Sequence, residues 1–259
     1  MARDFTFKTY TLLLSTLRNL DYEFQTLEDF LLKPKKKVII LRHDSDIWPL
    51  NDLKMASIEN RFGIKSTYYF RIPWTFNIEI IKKIKDLGHE IGYHYEDLAE
   101  AKGNFKKAIV TFKRNLDKLK AIYPVQTVAM HGRPLSKWDS RRLWEKYKLE
   151  DFGLIGEPYL SINYNEVIYI TDTGSRWDGY KVSIRDSVNS PYQVDARSTF
   201  DLINYFKEMN PSKPVLINAH AARWNDNLFL WWYRFFLQHA KNITKKYYKK
   251  LIHKNHSIT

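Results

Sequence analysis

The sequence predicts an α/β chain folded as a closed or nearly closed parallel barrel. Two observations carry that prediction. Short β-rich runs alternate with helical patterns from residue 38 onward, and buried strands separated by helices imply a parallel sheet. Strand after strand also ends on a polar residue, as happens where side chains gather at the C-terminal mouth of a barrel. A chain of 259 residues suits one barrel. No linker rich in Pro, Gly or Ser divides it, so a single domain over 1–259 is expected.

Taken in order, an N-terminal segment over 1–32 reads as helical. The strand candidates are VIILRHD (38–44), KSTYYFRI (65–72), EIGYHYE (90–96), QTVAMHG (126–132), FGLIGE (152–157), EVIYITDT (166–173) and PVLINAH (214–220). Between them, LNDLKMASIENRFG ends at Gly63 and NIEIIKKIKDLG ends at Gly88, each glycine placed to close a helix. NFKKAIVTFKRNLDKLKAIY repeats its apolar residues at three and four, and Pro124 stops it. STFDLINYFKEMN runs up to Pro211 in the same way. The tail, 226–259, is a dense aromatic run followed by a lysine-rich helical pattern. It reads as a core-packing helix with a solvated end. The alternative is an interfacial helix, with aromatics in the head-group layer and lysines on anionic lipid.

Composition narrows the function. Apolar residues make up 44% and aromatics 15% of the chain, enough for a sizeable core, which excludes global disorder. There is no cysteine, which removes disulfides and thiolate metal sites. The net charge of +13 is concentrated in two stretches, Lys33 with Lys35–Lys37 and the six lysines of 241–259. No nucleic-acid-binding module accompanies them, so nucleic acid is not an expected partner. The N-terminal YTLLLSTL is too short and too charged at its flank for an export signal, and no run reaches the roughly 18 apolar residues of a membrane span. A cytoplasmic protein is expected, with peripheral contact to the inner face of a membrane through the basic tail.

The strand ends carry the chemistry: Asp44 and Asp46, Arg71, His94 and Glu96, His131, Glu157, Asp172 and His220. On an extended chain, residues two apart share a side, so Asp44 and Asp46 face one site. Crowded carboxylates repel, and a divalent cation relieves that cost. An imidazole at the end of EIGYH suits a borderline metal such as zinc, with Asp46 as an oxygen ligand. His89, at the other end of that strand, is expected to be structural.

RHDSD followed by GHEIGYHYE resembles the polysaccharide deacetylase family, carbohydrate esterases with a NodB-type domain (carbohydrate esterase family 4-like), in a divergent branch with an HD-x-D motif. The resemblance continues through MHGRPLSKWD, TDTGSRWDG and LINAHAARW and covers roughly 38–225. It implies a distorted (β/α)7 barrel that removes N- or O-acetyl groups from sugars. It also implies that Asp44 is the general base, Asp46 and His94 bind the metal, His220 is the general acid, and Arg133 or Arg71 orients the base. The family's second motif carries another histidine where this chain has Leu98. His131 is the expected substitute ligand, and Glu96 the runner-up. The roles of Asp44 and Asp46 stay exchangeable at this point.

Trp177 and Asp178, in TDTGSRWDGY, and Arg223 and Trp224, in HAARWND, are expected beside Arg71, Glu96 and Arg133 as substrate-binding residues. The expected substrate is an acylated sugar, nucleotide- or lipid-linked, in surface-glycan assembly, and the expected cofactor is a divalent metal, foremost Zn²⁺. Two alternatives stay open: a catalytically silent relative that binds a glycan or scaffolds a complex, and a deformylase or other amide hydrolase on the same barrel.

Overall fold

The computed structural model describes residues 3–133, 136–183 and 185–256, with side chains in the last stretch through residue 244. Helices α1 (Phe7–Asn19), α2 (Leu27–Leu32), α3 (Pro49–Arg61), α4 (Ile78–Asp86), α5 (Asp97–Glu100), α6 (Phe105–Lys120), α7 (Pro158–Ser161), α8 (Thr199–Met209) and α9 (Leu228–His256) alternate with strands. The strands are β1 (Glu23–Gln25), β2 (Val38–Ser45), β3 (Thr67–Phe70), β4 (Glu90–Tyr95), β5 (Val128–Met130), β6 (Ile168–Thr171) and β7 (Val215–Ala219). All described pairings are parallel, in the order β5-β4-β3-β2-β7-β6. β1 pairs with the first half of β2, on residues 38–40. The result is the expected distorted barrel, a curled parallel sheet wrapped by helices.

Two expectations are corrected. FGLIGE is not a strand: only Gly156 bridges to Thr127, while Glu150–Phe152 makes a 3-10 turn closed by Gly153. The segment 1–32 is not all helix, because β1 extends the sheet under β2. The helix stops fall where the sequence puts them. Gly63 and Gly88 take positive φ of 65° and 89° just past α3 and α4, the left-handed conformation that glycine reaches without steric cost.

Strand parity divides the core into two layers. Val38, Ile40, Tyr69, Ala129 and Leu216 face the inside and pack with Leu27 and Phe30 of α2. Ile39, Leu41, Tyr68, Phe70, Ile91, Val128 and Ile217 face outward, under α1, α3, α4, α6 and α8. Gly92 is required at its place: a Cβ there would meet the Tyr69 ring at 2.3 Å and the Thr127 carbonyl at 2.8 Å. Its absence lets Tyr69 cross the barrel interior. Among the described residues, no helix is long and apolar enough to cross a membrane.

The outer layer holds a fully buried polar knot around Glu59. His43 of β2 meets Glu59 of α3 at 2.7 Å, and its Nδ1 donates to the Ala219 carbonyl at 3.0 Å. Glu59 also accepts from the hydroxyls of Tyr10, Ser66 and Tyr68. His89 bridges the Ser66 hydroxyl and the Ala56 carbonyl, a structural part as expected. Burial alone would raise the Glu59 carboxyl, but His43, His89 and the hydroxyl of Ser66 pull it from 4.5 down to about 2.

Removing one partner from such a buried set leaves the others uncompensated. Glu59→Ala is expected to cost about 3–5 kcal/mol in urea unfolding. Because the folded Glu59 titrates at about 2 instead of 4.5, its contribution is full above pH 4.5 and fades as pH falls toward 2. His43, raised above its ordinary 6.5 by Glu59 against the pull of burial, adds stability below pH 6.5 that is lost once pH climbs through its folded value. Stability measured against pH in Glu59→Gln should show a shallower acid limb than the parent; an identical acid limb would refute the assignment.

Candidate active site

The inner face of the strands leads from an apolar floor to a charged mouth. Arg42 is the turning point. It is fully buried and lies against the rings of Tyr159 at 4.8 Å and Tyr69 at 5.5 Å. Its Nε and Nη2 donate to the two Asp44 oxygens at 2.8 and 2.9 Å. Asn218 of β7 donates to Asp44 Oδ2 at 3.0 Å. Burial pushes the Asp44 carboxyl up, but Arg42, His94 and His220 outweigh it and hold the group below the usual carboxylate range. The arginine that orients Asp44 is therefore Arg42, not Arg71 or Arg133. The i, i+2 rule that pairs Asp44 with Asp46 puts Arg42 on the same face, so the signal was present in RHDSD.

Asp46, His94 and His131 bring ligand atoms within 4.8 Å of one another. Each is prepared for a cation in its own way. His94 Nδ1 donates to the Ala129 carbonyl at 2.9 Å, which turns Nε2 toward the cleft. Burial, above all, lowers His94 from 6.5 to about 4, so the ring is neutral and its lone pair free. His131 Nδ1 bonds Glu96 at 2.9 Å, the carboxylate–histidine arrangement that fixes a ligand ring and raises its basicity. Asp46 Oδ1 is buried without a hydrogen-bond partner, 3.3 Å from His131 Nε2 and 3.7 Å from His94 Nε2. An orphaned carboxylate oxygen facing two imidazole nitrogens fits a divalent cation with mixed N and O ligands. Leu98, where the family motif has histidine, is fully buried in the outer core.

Across the cleft, His220 Nδ1 bonds Asp172 Oδ1 at 2.7 Å, while its backbone N–H donates to Oδ2 at 3.0 Å. Arg223 and the Trp224 indole N–H complete the Asp172 shell. This leaves His220 Nε2 pointing inward, 3.8 Å from Asp44 Oδ2 and 4.0 Å from Asp46 Oδ2. The cleft itself encloses about 110 Å³ and is lined by Asp44, Asp46, His94, His131, Arg185, Asp186, His220 and Arg223, among others. Asp186, which nothing in the sequence pattern singles out, accepts from Tyr159, Tyr169, Thr171 and Thr173. It sits on an irregular loop with no periodicity to mark it.

The expected substrate-binding residues divide sharply. Arg223 lines the cleft. Glu96 does not, being 3% exposed and committed to His131 and Arg71, with Arg133 Nε 3.5 Å away. Trp177 and Trp224, at 1% and 0% exposure, pack with Phe5 in the core and offer no face for stacking. Asp178 is spent on Arg176 and Lys181.

If Glu96 sets the His131 ring, Glu96→Gln should weaken Zn²⁺ or Co²⁺ binding in a calorimetric titration by about 10–100-fold, and Asp46→Asn more. Leu98→Ala should leave the affinity unchanged. Equal affinity in the parent and Asp46→Asn would rule out this triad as the ion's seat.

No protein-family model matches the chain, and no curated protein matches it. Among solved structures, it is similar to a CE4 family pseudoenzyme from Bacillus anthracis, with 16% identity over 83% of this chain and 62% of the other and a TM-score of 0.41. A mutant of a CE4 family pseudoenzyme with restored enzymatic activity aligns at 16% identity over 71% and 57%, with a TM-score of 0.40. A Streptococcus mutans CE4 esterase aligns at 14% over 89% of both chains, with a TM-score of 0.46. The chain thus spans 57% to 62% of the length of the pseudoenzyme structures.

Proposed function

We propose that the protein is a metal-dependent hydrolase that removes an acyl group, foremost N-acetyl, from a sugar. One observation carries the chemistry: a buried ionised carboxylate, a carboxylate–imidazole ligand triad and an aspartate-backed histidine converge on one small cleft. The motif resemblance to polysaccharide deacetylases supplies the substrate class.

Each residue has a definable task. Asp46, His94 and His131 would hold a divalent cation, which when bound supplies Lewis-acid charge to acidify a water and steady a developing oxyanion. Asp44 keeps its negative charge because Arg42 neutralises it from behind, and it takes the proton of the water that adds to the acyl carbonyl carbon. Arg42 and Asn218 prevent that carboxylate from rotating away. His220, held by Asp172 in the orientation that points Nε2 inward, donates a proton to the leaving nitrogen as the acyl C–N bond breaks. The products are a carboxylate and a free amine. Asp172 fixes the orientation of the His220 ring, as a buried aspartate does behind a catalytic histidine.

Acetate or formate release from a panel of acylated sugars by Zn²⁺- or Co²⁺-loaded protein tests the function. Asp44→Asn should lower kcat by about 10²–10⁴ with little change in KM. His220→Gln should abolish amide cleavage yet spare much of the hydrolysis of p-nitrophenyl acetate, whose leaving group needs no acid. No release of any acyl group from any sugar by protein that binds metal would favour the silent glycan binder instead.

A further inference from the structure

Helix α9 sits on the domain with the wrong face. A surface helix normally buries its apolar stripe and shows its polar side to water. Here the residues turned toward the domain are Trp231, Arg234, Gln238 and Asn242, spaced by three and four, and all are partly buried. Trp231 donates its indole N–H to the Asp4 carbonyl, Asn242 donates to the Gly174 carbonyl, and Gln238 donates to Asn242. The seam is narrow and mostly polar. The large apolar residues look outward: Phe229 is 83% exposed, Phe236 64%, Tyr233 57% and Trp232 45%. The expected core-packing helix is therefore not what forms.

The exposed surface does not stop at α9. The Arg234 guanidinium lies 4.9 Å over the ring of Trp48, in the loop after β2. Leu230 shares with Trp48 and Leu50 a groove of about 750 Å³. Trp74, in the loop after β3, is 64% exposed. These loops leave the C-terminal ends of β2 and β3, the end that bears Asp46 and the cleft. Trp48 and Trp74 thus stand in loops at the same end of the sheet as the mouth. Charge accompanies the aromatic residues: after Asp226 the sequence has no acidic residue, while it has Arg234 and six lysines between 241 and 254.

We infer that the outward aromatic face of α9, with Trp48 and Trp74, docks on an anionic phospholipid bilayer and presents the cleft to the membrane surface. Exposed Trp, Tyr and Phe beside an all-basic sequence match the head-group layer, where amphipathic rings settle and anionic lipid attracts lysine and arginine. A second protein with an apolar patch would not account for the one-signed charge. The inference rests on the proposed sugar hydrolase and sharpens it: the acylated sugar is one carried on a lipid, reached while the enzyme lies on the surface.

Flotation of the full chain with vesicles tests docking without reference to activity. The parent should float with phosphatidylcholine vesicles that contain phosphatidylglycerol, poorly with phosphatidylcholine alone, and less as salt rises. Phe229→Ser with Phe236→Ser, both on side chains mostly in solvent, should weaken flotation by about tenfold or more and leave hydrolysis of a water-soluble acylated sugar unchanged. Hydrolysis of a lipid-linked sugar in vesicles should fall in step with flotation. Absent flotation of the parent, or equal flotation of the double variant, overturns the inference, as does a dimer in sedimentation that the double variant abolishes in place of vesicle binding. Flotation that behaves as expected in a protein inert toward every sugar would uphold docking and refute the hydrolase alone.

Discussion

The architecture of the mouth depends on a guanidinium buried inside the barrel. Arg42 occupies the level where the apolar floor of Ile40 and Leu216 gives way to the acidic rim. An unpaired charge at that depth would be ruinous, so its position is tenable only because Asp44 accepts two hydrogen bonds from it and two tyrosine rings cover it. Such a pair adds little net stability over an apolar substitute, because desolvation offsets the attraction, but losing one partner is costly. What the pair does secure is geometry and charge state: Asp44 is held toward the cleft and stands ionised at rest.

The same strand solves the complementary problem on its other face. His43 and Ser45 point outward, and α3 returns beside β2 with Asp52 and Glu59 seven residues apart on one side. Ser45 donates to Asp52 at 2.6 Å and His43 meets Glu59 at 2.7 Å, one pair near the start of α3 and one near its end. All eight residues of β2 are buried, so the outward polar side chains, His43 and Ser45, each need a partner from the next layer, and each has one. The register of β2 against α3 and the aim of Asp44 into the cleft are then fixed together. A slip by one residue would turn His43 inward and Arg42 into the helical layer.

Periodicity made the scaffold legible. Short apolar strand runs separated by helices, helices stopped at Gly63, Gly88 and Asn210, and polar residues at strand ends are local signals. The inward set of Asp44, His94, His131 and His220 follows from parity alone once the strands are placed. What stayed hidden depends on distant packing. Trp177 and Trp224 occur in polar, turn-rich sequence, yet both are buried because Phe5, far away in the chain, closes over them. FGLIGE has strand composition, but its neighbours allow it a single bridge. In α9, residues 228–237 are apolar nearly all round, so no moment in the sequence reveals which face meets the domain.

The charge balance of the cleft suits His131, rather than position 98, to the proposed cation triad. A ring at position 98 would sit on α5, outside the sheet, whereas His131 follows β5 and lies between two carboxylates, Asp46 and Glu96. Burial works against positive charge there, yet the two acids outweigh it and raise His131 to about 9. Arg71 attends only Glu96 among the side-chain acids and Arg42 attends Asp44, while no arginine side chain bonds the Asp46 carboxylate among the described contacts. The site is thus built to keep positive charge beside Asp46, as a proton on His131 or a cation against Nε2. Competition between the two would make affinity for the proposed cation rise with pH, an outcome that follows from where Glu96 and Asp46 stand rather than from which metal arrives.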